Sequence, residues 1–319
     1  MQLSVMLEPQ EGLSYAQLLA VAQRAEAAGM YGFYRSDHYS SVGQETGLPS
    51  TDAWATLAGL ARETRSIRLG TMVTPVTFRP AGNLAKVVAT VSEMAGQADG
   101  RSRIDLGMGT GWLEAEHRQH GFPFEDISTR FRRLEEHLAV VRGLWDPRRA
   151  PFDFDGEFVT IAQARFNAVP DPSPRVIVGG TGRRKTPRLA ATYADEMNSA
   201  FQSPAASREL RAALDAACAD QGRDPATVPL TVMTGCIVGA SDKDFQARAE
   251  RFHAVFGSGD RDGWLDDLRG EWVIGGPEEA AQHLGELAQA GVSGVQLQTL
   301  VPDDLDMIDV VTSEIAPRL

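Results

Sequence analysis

Cysteine is nearly absent: Cys218 and Cys236 are the only two in 319 residues. That count argues against a disulfide framework and suits a reducing cytoplasm, where the protein is expected to work. Long hydrophobic runs are missing too. No apolar stretch approaches the roughly 20 residues that span a bilayer, and no basic segment followed by an apolar run opens the chain. Neither a membrane nor a secretory role is expected. Positive charge is in deficit, with 31 Lys and Arg against 43 Asp and Glu, a net charge of -12 and a pI near 5.0. Such a balance disfavours nucleic acid and anionic membranes as partners, which leaves small molecules. There is no internal repeat, low-complexity tract or dividing linker, and the chain is long enough to bury one large core.

What the sequence does contain is alternation. Short apolar runs at 2–7, 32–36, 67–73, 102–109, 175–180, 196–201, 230–240 and 294–301 read as strands. Between and after them, helical patterns fall at 15–28, 51–64, 83–95, 129–144, 186–193, 205–220, 242–256, 277–290 and 304–315. Eight strands alternating with helices fit an α/β fold of the (β/α)8 TIM-barrel type better than a six-stranded dinucleotide-binding sheet. A single domain over 1–319 is expected, with insertions at about 146–174 and 257–276. The first holds a hairpin pattern around Asp155 and Gly156. The second is polar, carries two tryptophans and has the composition of a lid.

In such a barrel the site lies at the C-terminal ends of the strands. After the second strand come Asp37 and His38, a histidine suited to acid–base work beside an acid that could orient it; the other reading is a loop cap beside a packed ring. After the third, "GTMVTP" either backs a flat ligand or simply ends a strand. After the fourth, "GMGTGW" offers Gly107, Gly109 and Gly111 for close backbone approach, with Trp112 as a flat wall. Its G-x-G-x-G spacing is not the G-x-G-x-x-G of a dinucleotide fingerprint. Glu116, His117 and His120 follow, but without zincin spacing or a third ligand, so no metal is expected and these read as surface polar residues.

After the fifth strand the chain reads "VIVGGTGRRKTPRLAATYAD". Gly179, Gly180 and Gly182 free backbone N–H groups ahead of a helix whose N-terminus attracts anions. Arg183, Arg184 and Lys185 are placed unfavourably for that dipole, a cost an anion would offset. An anion site is expected, against the plainer reading of three solvated side chains.

The stretches "LGTMVTPVTFRPAGNLAK", "GMGTGWLEAEHRQHGFPF", "VIVGGTG…RLAATYAD", "RFRRLEEHLAVVRGLW" and "VIGGPEEAAQHLGELAQAGVSGVQL", in that order, resemble the luciferase-like monooxygenase superfamily, and within it the branch that uses the deazaflavin coenzyme F420. The resemblance implies a barrel that is usually a homodimer, with the deazaflavin ring at the C-terminal mouth. It places the coenzyme phosphate on Gly179, Gly180, Thr181 and Gly182, and the ring near Asp37, Thr71, Met72, Gly109 and Thr110. It also implies a non-proline cis peptide at Thr71–Met72 and a role for Asp37 and His38 in coenzyme contact or proton transfer. The branch's sugar-phosphate dehydrogenases carry a catalytic glutamate where this chain has Trp112. Glu114 is the nearest substitute, and Trp112 and Glu114 are expected to line the substrate pocket.

F420 continues past its phosphate into a multiply anionic tail, and Arg183, Arg184 and Lys185 lie where such a tail would leave the cradle. The leading expectation is therefore an F420-dependent oxidoreductase moving a hydride between the deazaflavin C5 and a small organic substrate. An activated double bond is at least as good a substrate as a sugar phosphate. The alternatives are an FMN-dependent monooxygenase using O2 and reduced flavin from a partner reductase, and a non-catalytic F420-binding protein.

Overall fold

The computed structural model describes residues 1–42, 47–166, 171–301 and 303–319. Eight parallel strands close into a barrel: β1 (Gln2–Leu7), β2 (Gly32–Arg35), β3 (Arg68–Thr71), β4 (Ile104–Gly109), β5 (Arg175–Gly179), β6 (Glu196–Ala200), β7 (Leu230–Val238) and β8 (Val292–Thr299). Each pairs with the next. Closure comes where β8 meets β1, with Gln2 beside Gly294, and β4 meets β5, with Asp105 beside Arg175. The strands are near-continuously buried because helices cover them outside and side chains fill the inside, which is why they appear in sequence as unbroken apolar runs.

The helices are α1 (Tyr15–Ala27), α2 (Ala53–Glu63), α3 (Ala81–Ala95), α4 (Glu114–His120), α5 (Ile127–Trp145), α6 (Lys185–Tyr193), α7 (Pro204–Asp220), α8 (Asp242–Phe256), α9 (Arg261–Leu268), α10 (Pro277–Gln289) and α11 (Asp306–Asp309). Side-chain caps fix most of the long starts: Ser14 with Gln17 at α1, Asp52 at α2, Asp126 at α5, Ser203 at α7 and Ser241 at α8. The expected helix at 304–315 is shorter, since α11 widens into a π-turn over Val310–Ile315. In the first insertion, Phe152–Asp155 pairs antiparallel with Thr160–Ala164; residues 167–170 of it lie outside the described residues. In the second, α9 is followed by Val273–Gly275, which extends alongside the end of β7.

The barrel interior at the N-terminal ends of the strands holds a belt of buried polar groups. Arg68 (β3) and Arg175 (β5) both fork onto Asp105 (β4), and Tyr34 (β2) donates to the same carboxylate at 2.7 Å. Arg175 also pairs with Glu196 (β6) at 3.0 Å, and Thr231 (β7) donates to Glu196 at 2.7 Å. Two guanidinium groups thus balance two carboxylates in the dry interior. Among the described residues no helix is long and apolar enough to cross a membrane.

Candidate active site

β2 ends in Arg35, and the next three residues, Ser36, Asp37 and His38, reach the barrel mouth. Asp37 is almost fully buried and its oxygens are taken: Arg79 donates to it at 2.6 Å and the Thr74 hydroxyl at 2.7 Å. Among the described residues, no hydrogen bond joins Asp37 to His38. The ring is oriented instead by Glu116, whose carboxylate lies 2.8 Å from His38 Nδ1 and accepts the Tyr39 backbone N–H at 2.9 Å. The His38 side chain is 13% exposed and that of Glu116 is wholly buried. Burial alone would push the imidazole pKa down, but the hydrogen bond and charge of Glu116, with the charges of Glu8 and Asp37, raise it above its usual value.

The reading of Glu116 and His117 as surface residues is corrected by this placement. α4 turns both inward. His117 is fully buried between the Leu113 carbonyl, 2.7 Å from Nδ1, and the Thr77 hydroxyl, 2.6 Å from Nε2. His120 stays exposed, and among the described residues no cluster could hold a metal. Glu114, the expected substitute acid, is exposed on the same helix, so the buried carboxylate of α4 is Glu116. Trp112 stands at the mouth, 60% exposed, with its ring edge-on to His38 at 5.8 Å between centroids. Two groups escaped sequence reasoning, Arg79 and Glu8. Glu8 follows β1 and accepts from Gln10 at 2.7 Å and from Gln298.

The end of β3 meets β4 and β5 closely. Met72 N–H, one residue past the end of β3, still bonds to the Arg35 carbonyl at 2.8 Å before the chain turns. The non-proline cis peptide accordingly falls at Met72–Val73 and not at Thr71–Met72. Val73 packs over bare backbone: a Cβ on Gly109 or on Gly179 would come within 2.7 Å of its methyl groups. Thr71 is buried and donates to the Gly107 carbonyl at 3.1 Å; Thr110 is half-buried.

After β5, Gly179 and Gly180 are half-buried and residues 181–185 are exposed. Gly180 N–H bonds to the Asn198 carbonyl at 3.0 Å. Among the described residues, the N–H groups of Thr181, Gly182, Arg183, Arg184 and Lys185 have no acceptor, and α6 begins after Arg184 without a side-chain cap. The three cations differ. Arg183 pairs with Glu209, and Lys185 donates to Ser128 at 3.2 Å while lying over the Phe131 ring. Arg184 makes no ion pair among the described residues. A separate groove of about 540 Å³, lined by Arg142, Arg149 and Asp195, lies at the other end of the strands, since Asp195 precedes β6.

A family model described as luciferase-like monooxygenase matches residues 1–294. The pyrimidine monooxygenase RutA of Cronobacter sakazakii is 28% identical over 212 residues, covering 65% of this chain and 58% of that protein. The F420-dependent glucose-6-phosphate dehydrogenase of Mycobacterium avium is 34% identical over 167 residues, covering 52% of this chain and 48% of its own length. The chain thus matches only about half the length of these curated relatives. Among solved structures, an F420-dependent secondary alcohol dehydrogenase bound to an F420–acetone adduct superposes with a TM-score of 0.82 over 100% of this chain and 99% of that one, at 20% identity. With the family model spanning nearly all of the barrel, the chain belongs to the luciferase-like monooxygenase family.

Proposed function

We propose that the protein is an F420-dependent oxidoreductase that moves a hydride between the deazaflavin C5 and a small organic substrate. The observation that carries this reading is the start of α6. Among the described residues, the four backbone N–H groups of Thr181 to Arg184 and that of Lys185, the first residue of α6, have no acceptor, and the helix lacks a side-chain cap where the other long helices mostly use Ser or Asp. Donors of that kind, at the positive end of a helix, suit a phosphate. The exposed cations beside them suit anionic groups beyond it.

The residues fit the coenzyme. Gly179, Gly180, Thr181 and Gly182 would take the phosphate, and Arg183 and Arg184 the acidic tail. Met72, Val73, Gly109 and Thr110 would border the ring. When bound, the coenzyme supplies a two-electron hydride carrier; the chain supplies His38 to hold or move the accompanying proton. Trp112 closes the pocket from the β4 side.

A second reading, an FMN-dependent monooxygenase, is supported by the match to RutA, itself named a monooxygenase. The length of the anionic ligand separates the two. Affinity for long-tailed F420 and for its tailless precursor should be measured in the wild type and in Arg184→Ala. Because Arg184, unlike Arg183 with Glu209 and Lys185 with Ser128, makes neither an ion pair nor a side-chain hydrogen bond among the described residues, its loss is expected to weaken the long-tailed form about tenfold and the precursor hardly at all. Equal losses for both would leave the tail unrecognised and return the run to a solvated helix start.

A further inference from the structure

We propose that Glu116 is the positioning residue of this site: it turns His38 so that Nδ1 faces inward, and holds the ring as a charged proton donor acting through Nε2. The inference rests on the reading that His38 handles the proton accompanying hydride transfer. It adds which atom reacts, what orients it, and the direction in which the site is set to run.

The geometry begins with a carboxylate that has no other counter-ion. Glu116 is wholly buried, accepts from His38 Nδ1 and from the Tyr39 N–H, and pairs with no Lys or Arg among the described residues. Burying a carboxylate costs several kcal/mol unless a partner compensates it. An imidazolium 2.8 Å away is that partner. The other charged groups facing the ring point the same way. Glu8 comes from the end of β1 and Asp37 from the end of β2, while Arg79 neutralises Asp37 from the segment before α3. Trp112, from the loop between β4 and α4, adds an uncharged ring edge. Three carboxylates against one guanidinium favour the protonated ring.

Nδ1 is committed to Glu116, whereas Nε2 makes no hydrogen bond among the described residues and the side chain keeps some exposure. The proton available to a ligand is therefore the one on Nε2. In the step it serves, the Nε2–H bond breaks and its electron pair stays on the now neutral imidazole. An O–H or N–H bond forms on the acceptor, and the ring regains a proton from solvent. The two electrons arrive with the hydride of the reduced deazaflavin. A donor poised in this way fits reduction of a polar double bond, a carbonyl, imine or enone, whose heteroatom needs a proton. Oxidation of an alcohol would instead require the ring to start neutral.

The test uses the coenzyme-free protein first, so that it stands whatever the coenzyme proves to be. His38 is titrated by side-chain 15N NMR in the wild type, Glu116→Gln and Glu116→Asp, with His38→Ala assigning the signal. Gln keeps the size and an acceptor for Nδ1–H but removes the charge. The wild-type ring is expected to titrate above the ordinary imidazole value of about 6.5, and E116Q about one pH unit or more lower. In loaded enzyme, the pH above which the reduction rate falls should move down by the same amount. E116D, which keeps the charge at shorter reach, should lie between. An unchanged midpoint in folded E116Q overturns the proposal, as does a rate profile that stays put while the midpoint moves. Should E116Q not fold, a wild-type midpoint in E116D overturns it. Failure of F420 to bind would sink the coenzyme reading and leave the NMR result standing.

Discussion

At the scale of single residues, the proposed chemistry turns on His38. Its ring lies at the mouth, tied at Nδ1 to Glu116 and, among the described residues, without a hydrogen bond at Nε2. Replacement by Ala is expected to lower turnover about 100-fold or more with coenzyme affinity nearly unchanged, measured by steady-state kinetics beside equilibrium binding. Unchanged turnover would remove it from the mechanism. His38 could be found in the sequence because it follows a strand, where barrel sites lie. Its partner could not, because Glu116 is 78 positions away. The one available signal was its place in the first turn of a helix directly after "GTGW", too close to the mouth for a surface residue. Asp37 was also legible as a site position. Its commitment to Arg79 and Thr74 was not, since both lie beyond the turn that ends β3.

Elements were easier to read than contacts. The eight strands stand out because each is buried on both faces, so their apolar runs are continuous, and their observed ends fall within about two residues of those expected. The exceptions have local causes. β3 leaves its ladder after Met72 N–H meets Arg35, and β8 stops at Thr299, whose hydroxyl takes the Val301 N–H. The glycines of β4 and β5 were visible as a loose cluster, but their purpose needed the fold: Gly109 and Gly179 make room for Val73. Gly109→Ala would put a methyl 2.7 Å from a Val73 methyl and force that residue to move. Such overpacking should cost about 1–3 kcal/mol by denaturant titration and weaken coenzyme binding. Full retention of both would show that Val73 is free to shift.

For the molecule as a whole, the barrel divides its labour between two ends. The N-terminal end is closed by Arg68, Asp105, Arg175, Glu196 and Tyr34, a network that joins five strands and left no trace in sequence beyond isolated polar residues inside apolar runs. Burial pushes the Asp105 pKa up, but the Arg175 and Arg68 guanidiniums outweigh it and hold the carboxyl far below its ordinary value. A depressed carboxylate contributes stability that is present above the unfolded value of about 3.9 and is lost as pH falls toward the folded one. Unfolding free energy should therefore drop steeply below about pH 4, and less steeply in Asp105→Asn. That variant should also lose about 3–5 kcal/mol at neutral pH, because two buried guanidiniums lose their shared partner. The C-terminal end holds the proposed site, whose coenzyme is the point on which the proposed function rests. Equilibrium titration with F420 and with FMN at low and high salt tests that point most directly. F420 binding should weaken as salt rises, with FMN bound weakly or not at all; tight, salt-independent FMN binding without F420 binding would rule out the F420 reading.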